Sequence, residues 1–143
     1  MRIRLFLVSG LLAGIAGCST TGSNQGSGVF AANAAGGKVS SSVIAAMGGG
    51  LVNGSIGAGL SAGEKRNALE AEYKALEYTA SGQAVGWKGD QASHYGEVVA
   101  AQPYRVGSQD CRQYAQTVHA GGGVVTARGT ACRNADGSWS LLN

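Results

Sequence analysis

The stretch CRQYAQTVHAGGGVVTARGTACR, residues 111–133, decides the fold of the C-terminal half of this chain. Two runs with strand-like alternation flank Gly121 and Gly122, and glycine suits the positive φ angles of a two-residue type I′ hairpin turn. Such a turn pairs residues whose numbers sum to 243. Cys111 and Cys132 satisfy that sum. We therefore predict that they face each other as a non-hydrogen-bonded pair, close enough to form a disulfide.

The same register fixes which side chains share a face of the hairpin, because side chains alternate along a strand. We assign one face to the core, and it carries Tyr114, Val118, Val125, Ala127, Gly129 and Ala131. The other face is expected to meet solvent, and it carries the disulfide with Gln113, Thr117, His119, Thr126, Arg128 and Thr130. A bulge anywhere in the hairpin would break this register.

Short runs bounded by glycine, aspartate and proline surround the hairpin and indicate further antiparallel strands. They include QAVGWK, YGEVVA, PYRVG and SWSLL. Trp87 and Trp139 lie in two of these runs, where a large aromatic side chain is more often a core residue than a ligand platform. We assign residues 80–143 to a small β domain that resists unfolding partly through its cross-link.

An amphipathic helix is predicted before this domain, over residues 64–79. The run NALEAEYKALEY consists largely of helix formers, and Leu69, Tyr73 and Leu76 recur on one side. Glu64 places a negative charge in the first turn, where it complements the helix dipole. The fold class is therefore α+β, with this helix packed on the sheet.

Residues 39–63 carry no charge, and within them we assign residues 43–63 to a glycine-zipper segment. A helix over this segment would be about 30 Å long and would carry one smooth face for close helix packing. That face consists of Ala46, Gly50, Gly54, Ala58, Gly59, Ala62 and Gly63. The segment could self-associate within a membrane, lie in the membrane interface or remain a glycine-rich linker, since interior glycines make a poor helix in water.

The N-terminus has the organisation of a secretion signal that ends at a cysteine. Arg2 and Arg4 precede an apolar run of 11 residues, Leu5 to Ile15, which is too short to span a bilayer. Residues 15–18, Ile-Ala-Gly-Cys, match the bacterial lipobox. We predict removal of residues 1–17 and acylation of Cys18, which would anchor the chain to membrane lipid. The alternative is an ordinary secretory signal with a chance cysteine.

The mature chain would begin with a flexible tether over residues 18–42, rich in Ser, Thr, Gly, Asn and Ala. Removal of Arg2 and Arg4 leaves 9 basic residues against 8 acidic ones, so the net charge falls from +3 to about +1. This near-neutral balance excludes nucleic acid as a partner. Export to an oxidising compartment favours a disulfide between the two remaining cysteines over a reactive thiol pair or a metal site.

No catalytic or cofactor motif stands out in the sequence. His94 and His119 have no neighbouring partner in a recognised pattern, and we expect both to be solvated surface side chains. The glycines at 48–50 lack the lysine and hydroxyl residue of a phosphate loop. We therefore predict no enzymatic activity, no metal and no cofactor.

Three groups of residues resemble bacterial outer-membrane lipoproteins related to the rickettsial 17-kilodalton surface antigen. They are the lipobox IAGC, the segment GGGLVNGSIGAGL, and the C-terminal motifs CRQYAQTV and GTACRNADGSW. Members of the rickettsial type usually have two glycine-zipper spans, whereas this chain has one, followed by a polar helix. The resemblance implies an outer-membrane lipoprotein without catalytic residues, and Ser19 after the lipidated cysteine fits export to that membrane.

Two functions of different classes follow. The first is a structural or interaction lipoprotein of the cell envelope, with its β domain held beyond the membrane. The second is a periplasmic binding or inhibitory module, or a small envelope hydrolase, whose ligand would be a peptidoglycan fragment or an envelope protein. The second function would use an exposed face near Trp87, His119 and Arg128.

Overall fold

The structure is a computed structural model that describes residues 37–142. The predicted signal peptide, Cys18 and most of the expected tether lie outside the described residues. The elements, in chain order, are α1 (Ser41–Ala46), two 3₁₀ turns (Leu51–Asn53 and Ser55–Gly57), α2 (Ala62–Glu77), β1 (Ala84–Lys88), β2 (Tyr95–Ala100), β3 (Tyr104–Val106), β4 (Gln109–Ala120), β5 (Gly123–Arg133) and β6 (Trp139–Leu141).

The hairpin between β4 and β5 is confirmed in its turn, register and cross-link. Gly121 and Gly122 form the turn with φ angles of 58° and 78°. Every pair of the ladder has residue numbers that sum to 243, including Cys111 with Cys132. The two cysteines form a disulfide, and their Cα atoms lie 4.0 Å apart.

All six strands belong to one antiparallel sheet with the order β1-β2-β4-β5-β6, and β3 pairs with the start of β4. The expected small β domain is therefore confirmed. Its inner face packs against α2, and both tryptophans lie in this core, where Trp87 is 7% exposed and Trp139 is 3% exposed. The prediction of tryptophan as core is confirmed.

Helix α2 begins two residues earlier than predicted because Ser61 and Glu64 form a capping box. The Ser61 hydroxyl accepts a hydrogen bond from the Glu64 N–H, and the Glu64 carboxylate accepts one from the Ser61 N–H at 2.8 Å. These bonds satisfy two backbone donors that a helix start leaves open. The predicted helix over residues 64–79 is thus correct in type but shifted by two residues.

The prediction of a continuous helix over residues 43–63 is wrong. Residues 48–50 are three consecutive glycines with positive φ angles, which interrupt the right-handed helix after α1. The small residues Ala46, Gly50, Gly54, Ala58, Gly59, Ala62 and Gly63 therefore do not share a helix face. Among residues 37–142, no helix is long and apolar enough to cross a membrane.

The aliphatic residues of this charge-free segment are buried in the core of the domain instead. They are Val43, Met47, Leu51, Val52, Ile56 and Leu60. Helix α2 contacts mainly β1 and β2, whereas the two 3₁₀ turns contact β4 and β5. The segment thus covers the part of the inner face that α2 leaves open, and burial of its apolar surface stabilises that arrangement.

Two predictions of exposure in the hairpin also need correction. The disulfide was expected to meet solvent, but Cys111 is 0% exposed and Cys132 is 4% exposed. Strand β3 flanks Cys111, and β6 flanks Cys132 on its other side. Val125 was expected in the core but is 51% exposed, because it lies near the hairpin tip where the inner face has little cover.

Candidate functional site

We call the face of the sheet that points away from α2 the outer face. It arises from the strand period of two, which sends the alternate side chains away from the core. Its members are Lys88, Tyr95, Glu97, Val99, Gln113, Ala115, Thr117, His119, Val124, Thr126, Arg128 and Thr130. None of these residues is buried, so the six polar residues that the sequence placed here are confirmed on this face.

A shallow hollow of about 730 Å³ lies in the middle of the outer face. The hydroxyls of Thr117 and Thr126 share a hydrogen bond of 2.9 Å across β4 and β5. Gln113, Thr130 and Arg128 also line the hollow. The amide and hydroxyl groups can form hydrogen bonds to a polar ligand, and the guanidinium group can bind an anionic group of that ligand.

Arg128 is the cation of this hollow. Its side chain is exposed, and no acidic side chain within residues 37–142 forms an ion pair with it. By contrast, Arg66, Arg105 and Arg133 each pair with a carboxylate. Arg128 therefore retains its full donor capacity for a ligand.

An aromatic pair occupies the end of the outer face near the hairpin turn. The rings of Tyr95 and His119 are stacked with centroids 4.3 Å apart and an interplanar angle of 9°. Tyr95 is 45% exposed, and the neighbouring Val124 is 62% exposed. His119, which was expected to be a solvated side chain, is instead half-buried within this stack.

Trp87 does not belong to this surface, although the sequence interpretation grouped it with His119 and Arg128. Trp87 pairs with Gly96, and both residues point to the inner face. The structure thus places His119 and Arg128 on one face of the sheet, four residues or about 13 Å apart along the strand direction. Trp87 lies on the opposite, inner face.

His94 was expected to be a solvated surface side chain, and this prediction is wrong. Its Nδ1 atom lies 2.9 Å from Glu64 Oε1, and the His94 side chain is only 11% exposed. The backbone N–H of Asp90 also donates to Glu64. The N–H donors of Ser61 and Asp90 together with His94 hold the pKa of Glu64 below its usual value. This cluster ties the loop between β1 and β2 to the start of α2.

Glu72 is a fully buried carboxylate that no local pattern in the sequence singles out. It accepts hydrogen bonds from the backbone N–H groups of Leu51 and Val52, each at 3.1 Å, and from the Tyr114 hydroxyl at 2.9 Å. Burial raises the pKa of Glu72 to about 7, although the three donors act in the opposite direction. Glu72 joins the charge-free segment to α2 and β4.

Arg112 is a second buried charge that sequence reasoning missed. Its guanidinium donates to the backbone carbonyls of Ala75, Leu76, Thr79 and Ala101, at distances between 2.8 and 3.0 Å. The first three carbonyls belong to the last turn of α2 and the residues after it, where a cation also complements the helix dipole. Arg112 therefore has a structural role in fixing the helix on the sheet.

Within residues 37–142 no group of three or more His, Cys, Asp or Glu side chains is arranged to hold a metal ion. The buried charges described above are each occupied by internal partners. The outer face, by contrast, carries polar side chains that face solvent, including the guanidinium of Arg128, which is unpaired within the described chain.

Comparison with known proteins relates the C-terminal part of the chain to one family. Residues 74–140 match the profile of the family described as 17 kDa outer membrane surface antigen. The 17 kDa surface antigen of Rickettsia bellii is 39% identical over 89 residues, which are 62% of this chain and 56% of that antigen. The 17 kDa surface antigen of Rickettsia japonica is 39% identical over 87 residues, which are 60% of this chain and 55% of that antigen. The chain thus spans about half the length of the curated relatives it matches. No solved structure matches it.

Proposed function

Because residues 74–140 carry the sequence pattern of the 17 kDa surface antigens, we propose that this chain is a lipid-anchored protein of the outer membrane that presents its β domain for interactions in the cell envelope. Its role is structural or adhesive rather than catalytic. Acyl chains on Cys18 form the anchor in this proposal. The family match carries the proposal, and the lipobox at residues 15–18 supports the mode of attachment.

The polarity of the outer face favours a location of the domain in water rather than in lipid. Its hollow is lined by threonine, glutamine and arginine side chains, which a hydrocarbon environment would leave without partners. By length alone, the chain between Cys18 and residue 37 can reach about 65 Å from the anchor. That reach allows the whole domain to stand clear of the membrane surface.

Intact-mass measurement of the membrane-extracted protein tests the anchor. We expect loss of residues 1–17, added acyl chains, and a gain of about two daltons only after reduction of the disulfide. A Cys18→Ala variant should lose the acyl mass and should leave the membrane fraction. An unlipidated mature wild-type chain would contradict the anchor.

Protease treatment of intact cells, with and without opening of the outer membrane, tests where the domain is presented. Surface presentation predicts cleavage of the domain on intact cells. Cleavage only after the outer membrane is opened would place the domain in the periplasm and would contradict surface exposure. A periplasmic protein, which must resist the protease until the outer membrane is opened, serves as the control for outer-membrane integrity.

A second function, a module that binds a peptidoglycan fragment or an envelope protein, is favoured by one observation. Arg128 lies at the hollow of the outer face without an internal ion-pair partner. Arg128→Ala should weaken binding of the mature protein to peptidoglycan, whereas Arg105→Ala, on β3, should not. Equal binding by both variants would contradict this use of the outer face.

A further inference from the structure

One edge of the sheet has no strand beside it over most of its length. Strand β5 pairs with β4 from Gly123 to Cys132, but β6 pairs only with residues 131–133 of β5. Leu142 donates one further hydrogen bond to the Thr130 carbonyl. Within the described chain, residues 123–129 of β5 therefore form an open edge of seven residues, which we call the β5 edge.

The hairpin register identifies which backbone groups point outward from the β5 edge. Ala120 and Gly123 close the two-residue turn, and hydrogen-bonded and non-hydrogen-bonded pairs alternate from that point. The N–H and C=O groups of Val124, Thr126 and Arg128 consequently point away from β4. Open strand edges of this kind accept a further strand through main-chain hydrogen bonds.

Apolar side chains and a groove lie along the same edge. Val124 and Val125 are 62% and 51% exposed, on opposite faces of the sheet. On the inner side, a groove of about 560 Å³ runs between the charge-free segment and the β5 edge. Leu51, Ile56 and Ala127 are among its lining residues. The groove is also lined by the polar residues Asn53, Ser55 and Ser140. An added strand would therefore find unpaired backbone groups and, for one of its side chains, aliphatic contacts within a groove of mixed polarity.

We propose that two copies of this chain pair through their β5 edges, in antiparallel orientation about a two-fold axis at Thr126. This register places Thr126 opposite the partner copy's equivalent residue and Val124 opposite Arg128 of the other copy. All three outward-pointing residues on each edge are then hydrogen-bonded, and no arginine faces an arginine. A register centred on Arg128 would place like charges directly opposite each other.

The shape of the edge favours a second copy over an unrelated strand. In this register Val125 of each copy lies opposite Ala127 of the other, so the exposed valine enters the groove beside Leu51 and Ile56. The hairpin turn of each copy ends opposite Thr130, before the strand residues of β6. Among the described residues, the exposed Leu142, which follows β6, lies beside this position and has to give way, with loss of its hydrogen bond to the Thr130 carbonyl.

Pairing of the two β5 edges joins the two sheets into one continuous sheet. The two-fold axis is therefore perpendicular to that sheet. Both outer faces therefore point in the same direction and form one surface of twice the width. This association differs from the expected contact through a glycine zipper, since it uses the backbone and the valines of β5. The proposed pairing of β5 edges does not depend on whether the outer face binds a ligand.

A charge at Val125 tests the contact. The lipidated mature protein is compared by sedimentation in detergent, at several ratios of detergent to protein. We expect a dimer whose association weakens about tenfold or more in Val125→Lys, because an ammonium would replace the valine beside the aliphatic side chains of Leu51 and Ile56 in the partner copy. Val106→Lys is the matched control, since Val106 is 55% exposed on β3 and away from the β5 edge. It should leave the dimer intact.

A cysteine on the proposed axis tests the register without relying on a charge. Thr126→Cys should form a disulfide-linked dimer under mild oxidation, because facing strand residues lie close enough for a cross-link. Thr117→Cys, one strand further from the axis on the same face, should not. A monomer at all concentrations, a dimer that Val125→Lys leaves unchanged, or equal cross-linking by the two cysteine variants would overturn the proposal.

Discussion

Leu51→Ala is the substitution that most directly tests the role of the charge-free segment. Leu51 is 9% exposed and packs over Gly129, where an added Cβ atom would lie 3.0 Å from Leu51 Cδ2. The change removes about three carbon groups at roughly 0.8 kcal/mol each and leaves a cavity. We expect the free energy of unfolding to fall by about 3 kcal/mol, which lowers Tm by about 10–15 °C for a domain of this size.

The assay is thermal and urea unfolding, followed by circular dichroism, in buffer without detergent and with the disulfide intact. The mature chain carries Cys18→Ser so that it can be studied without lipid. Ala58→Leu is the matched control, because Ala58 is exposed in the structure but belongs to the expected small-residue helix face. Ala58→Leu should change the unfolding free energy by less than about 0.5 kcal/mol.

The two interpretations of the segment predict opposite results for this pair of variants. If the aliphatic residues complete the core, Leu51→Ala destabilises the chain in water and Ala58→Leu does not. If the small residues form a helix-packing face, Ala58→Leu matters and Leu51→Ala has little effect without a membrane. Unchanged unfolding of Leu51→Ala would refute the assignment of this segment to the core.

Three further comparisons test buried groups by urea unfolding. Arg112→Met should lower the unfolding free energy by about 3–5 kcal/mol because it leaves buried carbonyls without donors, whereas the exposed Arg105→Met should lower it by less than about 1 kcal/mol. Since the pKa of Glu72 is raised from 4.5 to about 7, its contribution to stability is complete below its unfolded pKa and is lost as pH rises through about 7. The wild type should therefore lose stability relative to Glu72→Gln between about pH 5 and about pH 8, and the absence of this difference would contradict the pKa. Gly48→Ala and Gly50→Ala both place a side chain at positive φ, but only the second Cβ atom would overlap a buried carboxylate. We expect losses of about 1 and about 3 kcal/mol, and equal losses would show that the overlap is relieved.

The hairpin could be predicted in full because its structure depends on local geometry. A two-residue turn and a side-chain period of two relate Cys111 to Cys132 without knowledge of any other element. The same logic identified the polar residues of the outer face, including Arg128. Exposure near the hairpin tip was not predictable in this way, since the cover over Val125 comes from distant parts of the chain.

The buried charges could not be found from the sequence, because their partners are far away along the chain. Arg112 bonds to a carbonyl 37 positions away, His94 to a carboxylate 30 positions away, and Glu72 to a backbone N–H 21 positions away. No periodicity relates such residues. The capping box at Ser61 and Glu64 is a local signal that would have placed the helix start correctly.

The sequence by itself determined the secondary structure of the C-terminal domain, the hairpin register and the disulfide, because each follows from short-range backbone geometry. Tertiary structure alone decided the fate of residues 43–63. Their mixture of aliphatic residues and glycine is compatible with a packed helix, a linker or a core segment. Each of these structures suits some of the residues in the segment. The choice depended on the apolar area that α2 leaves uncovered on the sheet, and burial of that area is a property of the assembled fold.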